Sequence, residues 1–185
     1  MKRLAILIAM MMVWAGAASA QDAAGVYRLA EAATSVTFTT GAFGVAHTTG
    51  RVAGVDGTLI FDPGRPDDSA VDVTLDMTTL STGVGMFDEQ LQGEDYFDTA
   101  HYPSASFRST RIEMTGEKTA NVTGDMTLHG VTRTVILAVV FDQDGGTGMD
   151  FTATARIHRR DFGIDKFQLF ISDDIDLHIR AEVHL

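Results

Sequence analysis

The last eleven residues read Ile175-Asp176-Leu177-His178-Ile179-Arg180-Ala181-Glu182-Val183-His184-Leu185. Every odd position is apolar and every even position carries a charge or an imidazole. Successive side chains of an extended chain point to opposite faces, so this period of two gathers all the apolar groups on one side. A helix would spread them around its axis. The segment is therefore a strand with one face in a core and the other in water.

Working backwards, the same alternation and a richness in Thr, Val, Ile and Phe mark Ser35–Thr40, Gly57–Phe61, Ala70–Asp76, Ser104–Met114, Ala120–Leu128, Thr132–Phe141 and Met149–Ile157. With the C-terminal segment they make about eight strands. Turn signals separate them at Asp56-Gly57, Pro63-Gly64, Thr115-Gly116 and Asp144-Gly145-Gly146. Only Met86–Asp95 has a helical pattern, and it is read as an element at a mouth or lid. Strands without a covering helical layer must bury their apolar faces against one another, as a sandwich or as a closed barrel. A barrel of about eight strands has room for one ligand.

At the other end of the chain, Lys2-Arg3, an apolar run from Leu4 to Trp14 and the small-residue stretch 15–20 are read as a secretory signal peptide. The run is shorter than the roughly 20 residues of a spanning helix. With cleavage expected after Ala20, residues 21–185 form one domain, and no stable membrane insertion is expected afterwards. No Cys follows the cleavage site, so a lipoprotein anchor is not expected. Loss of Lys2 and Arg3 takes the net charge from −11 to −13, which disfavours nucleic acid and anionic membranes as partners. The absence of Cys removes disulfides, thiol catalysis and zinc-thiolate sites.

The candidate chemistry is thin. Asp142-x-Asp144-Gly145 resembles the start of a calcium loop, but no Glu closes it and a hairpin turn explains it better. The six His lack metal-ligand spacing; His178 and His184 share a strand face but lie roughly 20 Å apart. Asp173, Asp174 and Asp176 read as the solvated start of a strand. No Gly-x-Ser-x-Gly elbow or Ser-x-x-Lys pair occurs, and no metal or catalytic residue is assigned. The eleven Phe are more informative. Most suit core packing, and a barrel lined by them suits an acyl or isoprenoid chain.

Several segments then resemble the successive signatures of the YceI-like family of polyisoprenoid-binding periplasmic proteins. They are Phe97-Asp98-x-x-x-Tyr102-Pro103-x-x-x-Phe107-x-Ser109-Thr110, Gly124-Asp125-Met126-Thr127-Leu128-His129-Gly130-Val131-Thr132-Arg133 and Arg159-Arg160-Asp161-Phe162-Gly163-Ile164. Ser81-Thr82-Gly83 and Asp56-Gly57-Thr58-Leu59-Ile60-Phe61-Asp62 fit earlier ones. The resemblance implies an antiparallel lipocalin-like barrel, periplasmic and often dimeric, holding a long amphiphile. The ligand classes it brings are isoprenoids, isoprenoid quinones and fatty-acid derivatives, in roles from lipid transport to stress response. Expected cavity or mouth residues are Phe38, Phe43, Val45, His47, Arg51 and Phe61, then Leu75, Phe87, Gln90, Leu91 and Phe97, then Phe107, Met126, Leu137, Phe151 and Phe162.

Two stretches depart from the family pattern. A Lys-His pair falls on Gly41-Ala42, a basic residue falls on Thr49, and Arg-Asp-x-His-Leu falls on Phe87-Asp88-Glu89-Gln90-Leu91. A mouth without these groups should bind a pyrophosphate poorly, because a desolvated dianion needs cationic or N–H partners, and a neutral head is expected instead. The competing readings are an enzyme acting on a lipid or quinone, with Asp88, Gln90 and His47 as its groups, and a ligand-free β-domain that binds a partner.

Overall fold

The computed structural model describes residues 25–30, 33–42, 46–62, 64–144, 148–166 and 171–184. Its strands are β1 (Gly25–Ala30), β2 (Thr34–Ala42), β3 (Ala46–Val52), β4 (Gly54–Phe61), β5 (Ala70–Asp76), β6 (Ser104–Met114), β7 (Thr119–Leu128), β8 (Val131–Asp144), β9 (Gly148–His158) and β10 (Ile171–His184). One helix, α1 (Gly85–Gln92), lies in the long connection from β5 to β6. All pairings are antiparallel and build one sheet in the order β1-β4-β5-β6-β7-β8-β9-β10-β2-β3.

The structure has ten strands rather than the about eight expected from the sequence, and the difference lies in two staves of the barrel that are each broken into two strands. Only Ala53 separates β3 from β4, and residues 31–33 separate β1 from β2. The pairs Val36↔Val52 and Ala30↔Asp56 run along the same two interrupted strands. Because β2 also pairs with β10 and β4 with β5, the sheet curls into a barrel with these kinked strands at its seam. Thr79 fixes one kink: its hydroxyl accepts the N–H groups of Ala53 and Gly54 at 3.1 and 3.0 Å.

Alternation decides what the barrel encloses. On β5, Val71, Val73 and Leu75 turn inward while Asp72, Thr74 and Asp76 are exposed. On β10, Ile175, Leu177, Ile179 and Ala181 face the interior, as the period of two requires. A bulge between Ser109 and Arg111 resets the pattern on β6, so Ala105 and Phe107 are followed inward by Ile112. The β7–β8 hairpin turns on His129-Gly130, both with positive φ (51° and 72°), the geometry that suits a two-residue hairpin. Outer-face ion pairs such as Arg156–Asp176 (2.7 Å) are exposed and screened by solvent, so they add little to stability. The burial inside carries the stability.

The two ends are closed differently. Tyr27, Met149 and Val183 are buried at the end where β9 begins and β10 finishes. The α1 end is capped by Leu80, Phe97 and Phe162, all buried. Three of the sequence signatures meet there. The rings of Tyr102 and His129 lie 4.6 Å apart, and His129 Nδ1 is 3.2 Å from the Phe162 carbonyl oxygen.

Candidate functional site

The barrel encloses a cavity of about 200 Å³. Its wall runs from Phe61, Phe141 and Phe151 at one end to Leu80, Phe97 and Leu128 at the other. On β7 alone it reaches from Ala120 to Leu128, about 26 Å along the strand. With the strand tilt of about 40° common in barrels, that is roughly 20 Å along the axis. The shape is that of a slot for a chain. No charged side chain lines it among the described residues, so it offers an ion no counter-charge.

Of the residues named from the sequence, Phe38, Phe61, Leu75, Phe97, Phe107, Met126, Leu137 and Phe151 lie on the cavity wall. Phe38 and Phe97 meet edge to face with centroids 6.3 Å apart, linking the β2 wall to the α1-end cap. Phe162 is buried in the same core but stands behind the wall rather than on it. His47 and Arg51 are exposed on β3, and Phe87 and Gln90 are exposed on α1. Leu91 packs partly buried against the core. Phe43 and Val45 lie outside the described residues. Among the places where the family pattern is basic, Thr49 bonds Thr39 on the outer face, and alternation turns Gly41 outward as well. The lack of charge at the cavity therefore rests on the wall itself.

The sequence reading missed Thr34, whose position precedes the first strand recognised from it. Alternation from Val36 and Phe38 turns this side chain inward opposite Ala181. Thr34 is 8% exposed, and its hydroxyl has no hydrogen-bond partner among the described residues. Leaving such a group unpaired costs about 1–3 kcal/mol.

Two devices hold the α1 end. The Asp88 carboxylate on α1 accepts from the Ser81 hydroxyl at 2.7 Å and from the Thr82 N–H and hydroxyl at 2.5 and 2.7 Å. These bonds, the Thr82 N–H first, hold its pKa below the usual carboxylate value. Arg51 in turn exchanges backbone hydrogen bonds with Ser81, tying this segment to β3. At the neighbouring turn the Arg159 guanidinium is buried and donates to four carbonyls. They are Ser172 (3.0 Å), Ile164 (2.7 Å), Lys166 (2.8 Å) and Ile171 (3.2 Å). Burial pushes its pKa down.

No group of three or more His, Asp or Glu among the described residues could hold a metal ion. Asp173, Asp174 and Asp176 are instead paired with Arg160, His158 and Arg156. No helix among the described residues is long and apolar enough to cross a membrane.

Comparison with known proteins places this architecture. A UPF0312 protein of Pseudomonas savastanoi pv. phaseolicola is 39% identical over 132 residues, covering 69% of this chain and 68% of the relative. A UPF0312 protein of Pseudomonas putida is 38% identical with the same coverage. Among solved structures, Burkholderia cenocepacia BcnA superposes with a TM-score of 0.79 at 25% identity, covering 83% of this chain and 98% of BcnA. A polyisoprenoid-binding domain from Saccharophagus degradans shares the fold with a TM-score of 0.69 at 14% identity, covering 88% and 99% of the two chains. The model of the YceI-like domain matches residues 27–183, which is nearly all of the barrel, and the chain belongs to that family.

Proposed function

We propose that this protein is a non-catalytic carrier that holds one long-chain amphiphile with an uncharged polar group inside its barrel. The observation that carries the reading is the cavity wall: extended, apolar and free of charge. An isoprenoid, an isoprenoid quinone or a fatty-acid derivative meets its requirements. Burying on the order of 500 Å² of hydrocarbon gives roughly 12 kcal/mol of gross driving force. Lost freedom of the ligand offsets about 4 kcal/mol or more of that. The polar group then sets selectivity. The shared fold of the Saccharophagus degradans domain, described as polyisoprenoid-binding, supports the class of ligand.

The leader read in residues 1–20 assigns the work to the periplasm, where an apolar molecule needs shelter from water to travel. The groups considered for catalysis support binding rather than chemistry. The Asp88 carboxylate is engaged by Ser81 and Thr82, and Gln90 and His47 lie on exposed surface. The test is competition between an isoprenyl pyrophosphate and a quinone of equal tail length for the delipidated protein. Preference for the quinone is expected, and a clear preference for the pyrophosphate would overturn the uncharged-head assignment.

A further inference from the structure

The segment that closes the α1 end of the barrel also carries a run of apolar groups in water. Among the described residues nine large apolar side chains are exposed, and Val84, Met86 and Phe87 are three of them within four positions. No other stretch of four holds more than one. Met86 is 77% exposed, and Val84 and Phe87 are about half exposed. A Cβ added at Gly83 or Gly85 would meet no atom within 4 Å, so the run forms a convex tip. Polar bonds hold the tip in shape at its base. Beyond those that Asp88 accepts from Ser81 and Thr82, the Val84 carbonyl accepts the Phe87 and Asp88 N–H groups at 2.8 and 3.0 Å. The Gln92 side-chain amide donates to the Thr78 and Leu80 carbonyls at 3.2 and 2.9 Å. Leu80 itself is buried and lies on the cavity wall. One short stretch therefore joins the interior of the barrel to an apolar prominence outside it.

We propose that this tip is the surface by which the protein touches a zwitterionic lipid bilayer while it loads or unloads its ligand, an inference that rests on the carrier reading above. An amphiphile with a long hydrocarbon tail partitions from water into bilayers, so a bilayer is where its carrier meets it. A fluid bilayer takes up convex apolar side chains without a matching pocket. The charge around the tip selects the kind of bilayer. Residues 66–107 contain nine Asp and Glu and no Lys or Arg. Four of these acids, Asp88, Glu89, Glu94 and Asp95, lie within α1 or just after it. Arg51, brought alongside by its backbone bridge to Ser81, offsets one of them. Such a surface repels anionic headgroups and accepts those with no net charge.

The experiment loads radiolabelled hexadecan-1-ol into phosphatidylcholine vesicles and follows its initial rate of transfer to delipidated protein. With a docking tip, transfer occurs on collision and the rate rises in proportion to protein concentration. A rate that stays constant as protein is raised means that the alcohol crosses through water, and overturns the docking. Met86→Ser/Phe87→Ser should slow transfer about tenfold or more, while its affinity for the alcohol in equilibrium dialysis stays that of the wild type. Both side chains are exposed and neither lines the cavity, so the variant should fold. Ile136→Ser, on the exposed face of β8, should transfer at the wild-type rate. An unchanged rate in the double variant overturns the docking and, with binding in dialysis intact, leaves the carrier reading standing. Phosphatidylglycerol added to the vesicles should slow the wild type at low salt, and faster transfer would overturn the assignment to a zwitterionic surface. A wild-type dimer in sedimentation that the double variant dissociates, with transfer unchanged, would give the tip to a second copy and overturn the docking. A wild type that binds no hexadecan-1-ol in dialysis overturns the carrier reading and the docking with it.

Discussion

Substituting Ala153 by Phe should block the barrel at its waist. Ala153 is the middle residue of β9, pairs with Val139 and Ile179, is buried and lines the cavity. A benzyl group placed there enters a space of about 200 Å³ and displaces about four methylenes of a bound tail. At about 0.8 kcal/mol per buried methylene the loss is about 3 kcal/mol, or roughly 150-fold in Kd. The empty protein should not suffer, because an apolar group that fills a cavity typically adds about 0.5–2 kcal/mol of stability. Equilibrium dialysis of labelled hexadecan-1-ol and thermal melts of the delipidated protein measure the two effects. Ile136→Phe, on the exposed face of β8, serves as the control and should leave both unchanged. Wild-type affinity in a folded Ala153→Phe protein would show that the tail does not pass through the barrel, and the reasoning would fail.

Other perturbations address the frame around the cavity. Arg159→Met keeps the apolar stem but strands four carbonyls, and should cost about 3 kcal/mol, lowering Tm by roughly 6–12 °C; an unchanged melt would count against the carbonyl cage. Asp88 has a folded pKa below its ordinary 3.8, so its hold on residues 81–82 is complete above that value and fades as pH falls through the lower folded value. The protection of the Thr82 amide against hydrogen exchange, taken relative to its intrinsic rate at each pH, should therefore fall in acid, and Asp88→Asn should show that loss already at neutral pH; equal protection in the two proteins at neutral pH would remove the carboxylate from the account. Gly50→Val drives a side chain into the Phe38 ring and should cost about 1–3 kcal/mol in urea unfolding, whereas a neutral result would mean the ring has other room.

Much of this architecture was legible in the chain because one physical rule wrote it. From Ile175 to Val183 the alternation is uninterrupted, and the inward set it names is the one that faces the interior. The two strands absent from the sequence reading lack that imprint. On β3 the inward-turned position between Thr48 and Val52 is Gly50, because the Phe38 ring from the adjacent strand occupies the space a side chain would take. On β1 only Tyr27 and Leu29 supply buried large side chains before the strand is interrupted. The wall residues followed the same logic: Phe38, Phe61, Phe107 and Phe151 sit where strand alternation puts them.

Positions off the strands were less accessible, since no period governs them. Phe87 and Leu91 sit on one short helix, yet one is half exposed and the other packs on the core. Phe162 was visible as part of a signature, but its place behind the cavity wall depends on the turn that Arg159 and Gly163 shape. Thr34 carried a usable signal, its shared parity with Val36 and Phe38. Beginning the strand at Ser35 hid it.

The central claim is that the barrel exists to hold an apolar molecule, and the cargo of the protein purified from its own host tests it most directly. Native mass spectrometry should show one bound molecule per chain, and denaturing extraction should release a long-chain compound with an uncharged polar group. A protein that leaves its host empty would contradict the account.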